Sequence, residues 1–127
     1  GTLPNSWTNF PGIRTIFLHN NKLSGPLPAS WSALTSIREI HLYNNELSGI
    51  IPDSWAAWPI IIRLYLSGNQ LSGSLPNWGT NFQARVISLD ENQLTGSLPD
   101  EWASFPRLQR LSLSYNQFSG TLPDTWG

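Results

Sequence analysis

Ile37-Arg38-Glu39-Ile40-His41-Leu42-Tyr43-Asn44-Asn45-Glu46-Leu47-Ser48-Gly49-Ile50-Ile51-Pro52 states a pattern that the rest of the chain copies. With Leu or Ile written as L, it reads L-x-x-L-x-L-x-x-N-x-L-S-G-x-L-P, and the same frame starts at Ile13, Ile61, Ala84 and Leu108. The asparagine falls at Asn21, Asn45, Asn69, Asn92 and Asn116. The glycine that opens each unit falls at Gly1, Gly25, Gly49, Gly73, Gly96 and Gly120, giving spacings of 24, 24, 24, 23 and 24 residues. Copies held in register to this degree indicate a stack of units, each burying its apolar face against the next.

The columns of the frame have separate physical roles. In Ile40-His41-Leu42 the alternation sends two apolar side chains to one face and the intervening residue to the other, which is a short strand with one wet face. Asn45 follows where the chain must turn, and its amide offers both donors and an acceptor to backbone groups of the turn and of the next copy. Stacked, these asparagines form a ladder. Gly49 permits backbone angles that a side chain forbids, and Pro52 fixes φ at the start of the return segment.

That return segment carries a second motif, L-P-x-x-W-x-x-F, seen first at Leu3-Pro4-Asn5-Ser6-Trp7-Thr8-Asn9-Phe10. A proline followed by an inward stripe three residues apart describes one or two helical turns. Pro11, Pro59 and Pro106 cut the segment short, because the residue before a proline is pushed out of the α region. A short α or 3₁₀ turn is expected, with Trp7, Trp31, Trp55, Trp78, Trp102 and Trp126 stacked as a column in the core.

The whole chain of 127 residues is read as one array, with units 1–24, 25–48, 49–72, 73–95 and 96–119 and a partial unit 120–127. It begins and stops in mid-motif, with ends as apolar as the interior, so further repeats of a longer parent array are expected at both ends. The net charge is −1, from seven basic and eight acidic residues scattered singly. That balance points away from nucleic acid and from a polybasic membrane anchor. No apolar run approaches the roughly 18 residues of a membrane span, so membrane insertion by this segment is not expected. Cysteine is absent, which removes disulfides and thiolate metal sites together.

Two copies depart from the frame. The third carries Trp58-Pro59-Ile60-Ile61-Ile62, where Ile60 and Ile62 occupy columns held elsewhere by Gly12 and Arg14 or by Ser36 and Arg38. Those columns face solvent, so Trp58, Ile60 and Ile62 are candidates for a contact on the flank, beside the alternative of local packing. The fourth copy is one residue short and has Ala84 where the others have Ile or Leu. There the core is expected to thin and the stack to open first.

Leu-Ser-Gly-x-Leu-Pro closing L-x-x-L-x-L-x-x-N resembles the plant-specific subclass of leucine-rich repeats. The Trp of S-G-x-L-P-x-x-W is similar to the repeats of kinetoplastid promastigote-surface-antigen-type proteins. The resemblance implies an α/β fold: a right-handed solenoid with a concave parallel sheet and short α or 3₁₀ segments on the convex side. It also implies an extracellular or cell-surface protein that binds other macromolecules.

Catalysis is set aside. His19 and His41 lie on neighbouring strands but two positions apart, roughly 7–8 Å on the diagonal, which is wide for a metal pair. Ser88 and Asp90 sit two strands from His41, and the carboxylates of Asp90-Glu91 and Asp100-Glu101 serve different parts of the unit. No catalytic residue, metal ligand or cofactor is assigned. Recognition of a protein, peptide or glycan by the concave sheet is expected, the alternative being a structural spacer or coat repeat with no specific ligand. The expected face places Phe17, His41 and Tyr65 in one wet column and His19 and Tyr43 in the next, with Glu39, Arg63 and Tyr115 as its polar rim.

Overall fold

The computed structural model describes residues 1–119. Ten strands fall into two parallel sheets. The first contains β1 (Thr15–Phe17), β3 (Glu39–His41), β5 (Arg63–Tyr65), β7 (Val86–Ser88) and β9 (Arg110–Ser112), in that order. Its register follows the repeat: Phe17 lies beside His41, His41 beside Tyr65, Tyr65 beside Ser88 and Ser88 beside Ser112. The strands begin one residue earlier than the alternation suggests. Pairing continues past them, with Leu18 N–H donating to the His41 carbonyl and Leu42 N–H to that of Tyr65.

The second sheet was not expected. It is built from the Leu-Ser-Gly part of the unit: β2 (Ser24–Pro26), β4 (Glu46–Gly49), β6 (Gln70–Ser74), β8 (Gln93–Gly96) and β10 (Gln117–Phe118). Gly25, Gly49, Gly73 and Gly96 all take φ between 76° and 82°, the left-handed region that glycine enters without strain. The repeated glycine therefore bends the chain out of this sheet at every turn.

Between the sheets the core is continuous. Ile40, Leu42, Leu47, Leu64, Leu66, Leu71, Ile87, Leu89 and Leu94 are fully buried. The asparagine ladder forms as expected, with Asn45, Asn69 and Asn92 buried. The Asn69 side-chain carbonyl accepts the Leu47 N–H (3.1 Å), and its amide donates to the carbonyls of Leu42 and Leu66 (3.1 and 3.0 Å). Each asparagine thereby joins its own turn to the preceding one.

The return segments are 3₁₀ turns: Asn5–Asn9, Ala29–Ala33, Asp53–Ala57 and Asp100–Ser104. A proline caps each of them. Among the described residues every indole of the column from Trp31 onward reaches back one unit: Trp31, Trp55, Trp78 and Trp102 donate Nε1–H to the carbonyls of Pro4, Pro28, Pro52 and Pro76 at 2.9–3.0 Å. This is a second ladder on the opposite side of the core. The ring stack is not a single column, however. Trp55 stacks on Trp31 and on Trp58 (6.5 and 4.5 Å between centroids), whereas Trp78 stacks on Phe82 and Trp102 (4.2 and 5.2 Å). Trp126 lies outside the described residues.

The fourth copy has no 3₁₀ turn. Asn77 accepts the Gly79 N–H on its side-chain oxygen (3.0 Å), a local turn of the kind asparagine favours. Phe82, in the column that holds Leu34, Trp58 and Phe105 in other copies, is 1% exposed and packs between Trp78 and Phe105. Ala84 is itself fully buried, so the core stays closed at the short copy.

Candidate functional site

The strand alternation that buries Ile16, Ile40 and Leu64 turns Phe17, His41 and Tyr65 outward on adjacent strands. Parallel strands lie about 4.8 Å apart, so rings in one register column must touch. Phe17 and His41 are 4.5 Å apart between centroids, and His41 and Tyr65 are 4.6 Å apart. In the next column His19 stacks on Tyr43 at 4.6 Å with an interplanar angle of 13°. The columns also meet, His19 with His41 at 6.0 Å and Tyr43 with Tyr65 at 6.2 Å. One continuous aromatic patch results, with Phe17 still 56% exposed.

The polar groups are arranged around it. Glu39 accepts a hydrogen bond from His41 Nε2 (3.1 Å) and pairs with Arg63 (3.4 Å). This fixes the His41 ring against its neighbours. His19 Nδ1 is buried and has no hydrogen-bond partner, an uncommon condition for a polar atom away from water. Beside the patch, His41, Tyr43, Tyr65 and Ser67 line a shallow hollow of about 390 Å³. Tyr115 is 80% exposed, on the far copy and apart from the rings, so it contributes to the face without joining the cluster. The same columns continue as Ser88, Ser112, Asp90 and Ser114, without rings.

One flank assignment is corrected. Trp58 is 1% exposed and donates its indole N–H to the Trp31 carbonyl (2.8 Å). It turns inward because Pro59 ends the 3₁₀ turn directly after it and Trp55 offers a ring to stack on. It is a core residue with no surface to offer a partner. Ile60, by contrast, is 41% exposed and Ile62 half-buried, and both line a separate hollow of about 200 Å³ with Gln83, Arg85 and Arg107.

A leucine-rich repeat model matches residues 11–71, and a second leucine-rich repeat model matches residues 61–82, 83–105 and 107–127. The chain belongs to the leucine-rich repeat family. No curated protein matches it. Among solved structures, this leucine-rich repeat chain is similar to PEPR1-AtPEP1, with a TM-score of 0.95 and 31% identity over 98% of this chain and 18% of that one. The Arabidopsis receptor kinase HAESA, in complex with the peptide hormone IDA and the co-receptor SERK1, gives 0.93 and 33% over 99% and 21%. A plant ice-binding protein gives 0.93 and 28% over 99% and 41%. The chain thus spans about a fifth of the two proteins named first. A peptide-hormone receptor and an ice-binding protein share the fold, so the ligand of this leucine-rich repeat segment has to be argued from its exposed side chains.

Proposed function

We propose that this segment is a non-catalytic recognition module of a surface or secreted protein, and that it binds a peptide or protein segment on the concave face around Phe17, His41 and Tyr65. One observation carries the reading: contiguous rings in mutual contact stand outward on adjacent strands, where folding requires only a strand former. Tyr, His and Phe combine apolar area with hydrogen bonding, and rings that pack one another lose little freedom on binding. The likeness to HAESA in complex with a peptide hormone supports a peptide over a glycan and an extracellular setting. The Leu-Ser-Gly-x-Leu-Pro and Trp columns keep the plant-type and surface-antigen-type resemblances within this reading.

The spacer reading is favoured only in the second half of the sheet, where the outward residues are Ser88, Ser112 and Ser114. A pull-down against surface proteins and secreted peptides, comparing the native chain with a Phe17→Ala, His41→Ala, Tyr65→Ala variant of matched stability, separates the two. A partner lost with the three rings supports recognition by this face. A partner retained at unchanged affinity places the site elsewhere.

A further inference from the structure

Charges that are scattered along the sequence converge in the fold. The chain has seven basic residues, and apart from Lys22 they are arginines: Arg14, Arg38, Arg63, Arg85, Arg107 and Arg110. All six are exposed, and all fall in three columns within a span of four at the edge where the chain enters the first sheet. Arg14, Arg38, Ile62 and Arg85 are consecutive rungs of one column. Arg38 N–H donates to the Arg14 carbonyl, Ile62 N–H to that of Arg38, and Arg85 N–H to that of Ile62, at 2.7–2.8 Å. Arg63 and Arg110 follow in the next column, and Arg107 stands two columns before, beyond the buried column of Ile37 and Ile61.

The carboxylates lie elsewhere. Among the described residues only Glu39 belongs to these columns, and it is engaged by Arg63 and His41. Glu46 is in the second sheet, Asp53, Asp100 and Glu101 are in 3₁₀ turns, and Asp90 and Glu91 follow β7 at the opposite end of the strand. Guanidinium groups one rung apart repel one another by about 1 kcal/mol even in water. Nothing in folding requires that arrangement, whereas an anionic partner makes it favourable.

The apolar interruption narrows the partner. Ile60 and Ile62 sit among the arginine rungs and form the hollow that Arg85 and Arg107 border, with Arg107 held by its Nε–H to the Gln83 side-chain oxygen (3.1 Å). A polyanion of uniform charge leaves such a slot unfilled. A peptide carrying carboxylates on either side of an aliphatic side chain fills it and pairs with the guanidiniums in forked geometry. We infer that this edge is a second docking surface, which meets the aromatic face only at Arg63, for an acidic peptide segment that places an aliphatic side chain against Ile60 and Ile62.

The test uses a fluorescein-labelled peptide of repeated Asp-Leu-Glu triplets, followed by anisotropy, with a Asp-Ser-Glu peptide and a heparin oligosaccharide as comparison probes. The Asp-Leu-Glu peptide is expected to bind, to weaken as salt rises, and to lose about tenfold or more in affinity in an Arg85→Glu, Arg107→Glu variant. Lys22→Glu, a charge reversal away from the edge, should leave it unchanged. An Ile60→Ser, Ile62→Ser variant should bind the Asp-Leu-Glu and Asp-Ser-Glu peptides equally. Each of the following overturns the inference: an Arg85/Arg107 reversal without effect, equal binding of the two peptides to the native chain, or heparin binding that exceeds both. Loss of the acidic peptide only in the Phe17, His41, Tyr65 alanine variant also overturns it, while leaving the aromatic face intact as a site.

Discussion

The side-chain carbonyl of Asn45 accepts the backbone N–H of Leu23, one unit earlier in the stack, at 3.1 Å. Its amide donates to the carbonyls of Leu18 and Leu42, both at 3.0 Å. Asn45→Leu removes every one of these bonds, and buried groups left unpaired cost about 1–3 kcal/mol each. Asn44→Leu is not silent either, because Asn44 stands at φ 59°, where a branched side chain costs roughly 1–2 kcal/mol. Urea denaturation should rank the losses Asn45→Leu, then Asn44→Leu, then Asn44→Gly. Equal midpoints for Asn45→Leu and Asn44→Leu would show that the ladder is not a stabilising feature.

The indole ladder makes a parallel claim. Trp55 is fully buried and its Nε1–H is held by the Pro28 carbonyl, so Trp55→Phe removes this link between units, leaves that carbonyl with the Trp31 N–H alone, and opens a gap beside Trp58. A loss of about 2–4 kcal/mol is expected. Trp7 is only half-buried, at the edge of the stack, so Trp7→Phe should cost less than about 1 kcal/mol. Equal losses for the two would mean that the carbonyl contact contributes nothing.

A third test concerns the residue before each ladder asparagine. Asn20, Asn44, Gly68, Glu91 and Tyr115 all adopt φ between 57° and 66°. Asparagine and glycine tolerate this region, whereas Glu and Tyr are strained in it. Glu91→Gly should therefore raise stability, by about 1 kcal/mol. Gly68→Ala should lower it, because its Cβ meets the Asn44 side-chain oxygen. Thermal melts that move in the reverse directions would remove backbone strain as the explanation of this column.

These particulars mark how far the sequence could be read. The first sheet, the asparagine ladder and the aromatic columns follow from alternation and spacing, because side-chain period and repeat register fix which residues become neighbours. The second sheet does not, since Leu-Ser-Gly pairs through its backbone and carries little alternation of its own. Trp58 holds the last position of the L-P-x-x-W-x-x-F motif, whose inward stripe and stacking on Trp55 override the flank reading that its neighbours Ile60 and Ile62 suggest. The arginine edge is invisible in a linear count, which sees single charges about 22 to 25 residues apart where the stack places them on neighbouring rungs.

Phe82 decides the last prediction. A short fourth copy with Ala84 at a core position invites the view that a void lies there, and in that case Ala84→Leu should fill it and stabilise the stack. Ala84 and Phe82 are both fully buried, however, with the Phe82 ring 4.2 Å from that of Trp78 and 5.5 Å from that of Phe105. Ala84→Leu is therefore expected to overpack the site and cost about 1–3 kcal/mol. Phe82→Ala should cost about 3–5 kcal/mol, since the ring has no replacement within the unit. Because each unit of a solenoid contacts only its neighbours, that loss should also be local. Hydrogen exchange of Phe82→Ala should show β7 becoming the fastest strand of the first sheet, while β1 keeps its protection. Stabilisation by Ala84→Leu, or a uniform rise in exchange across all five strands, would contradict this account of the fourth copy.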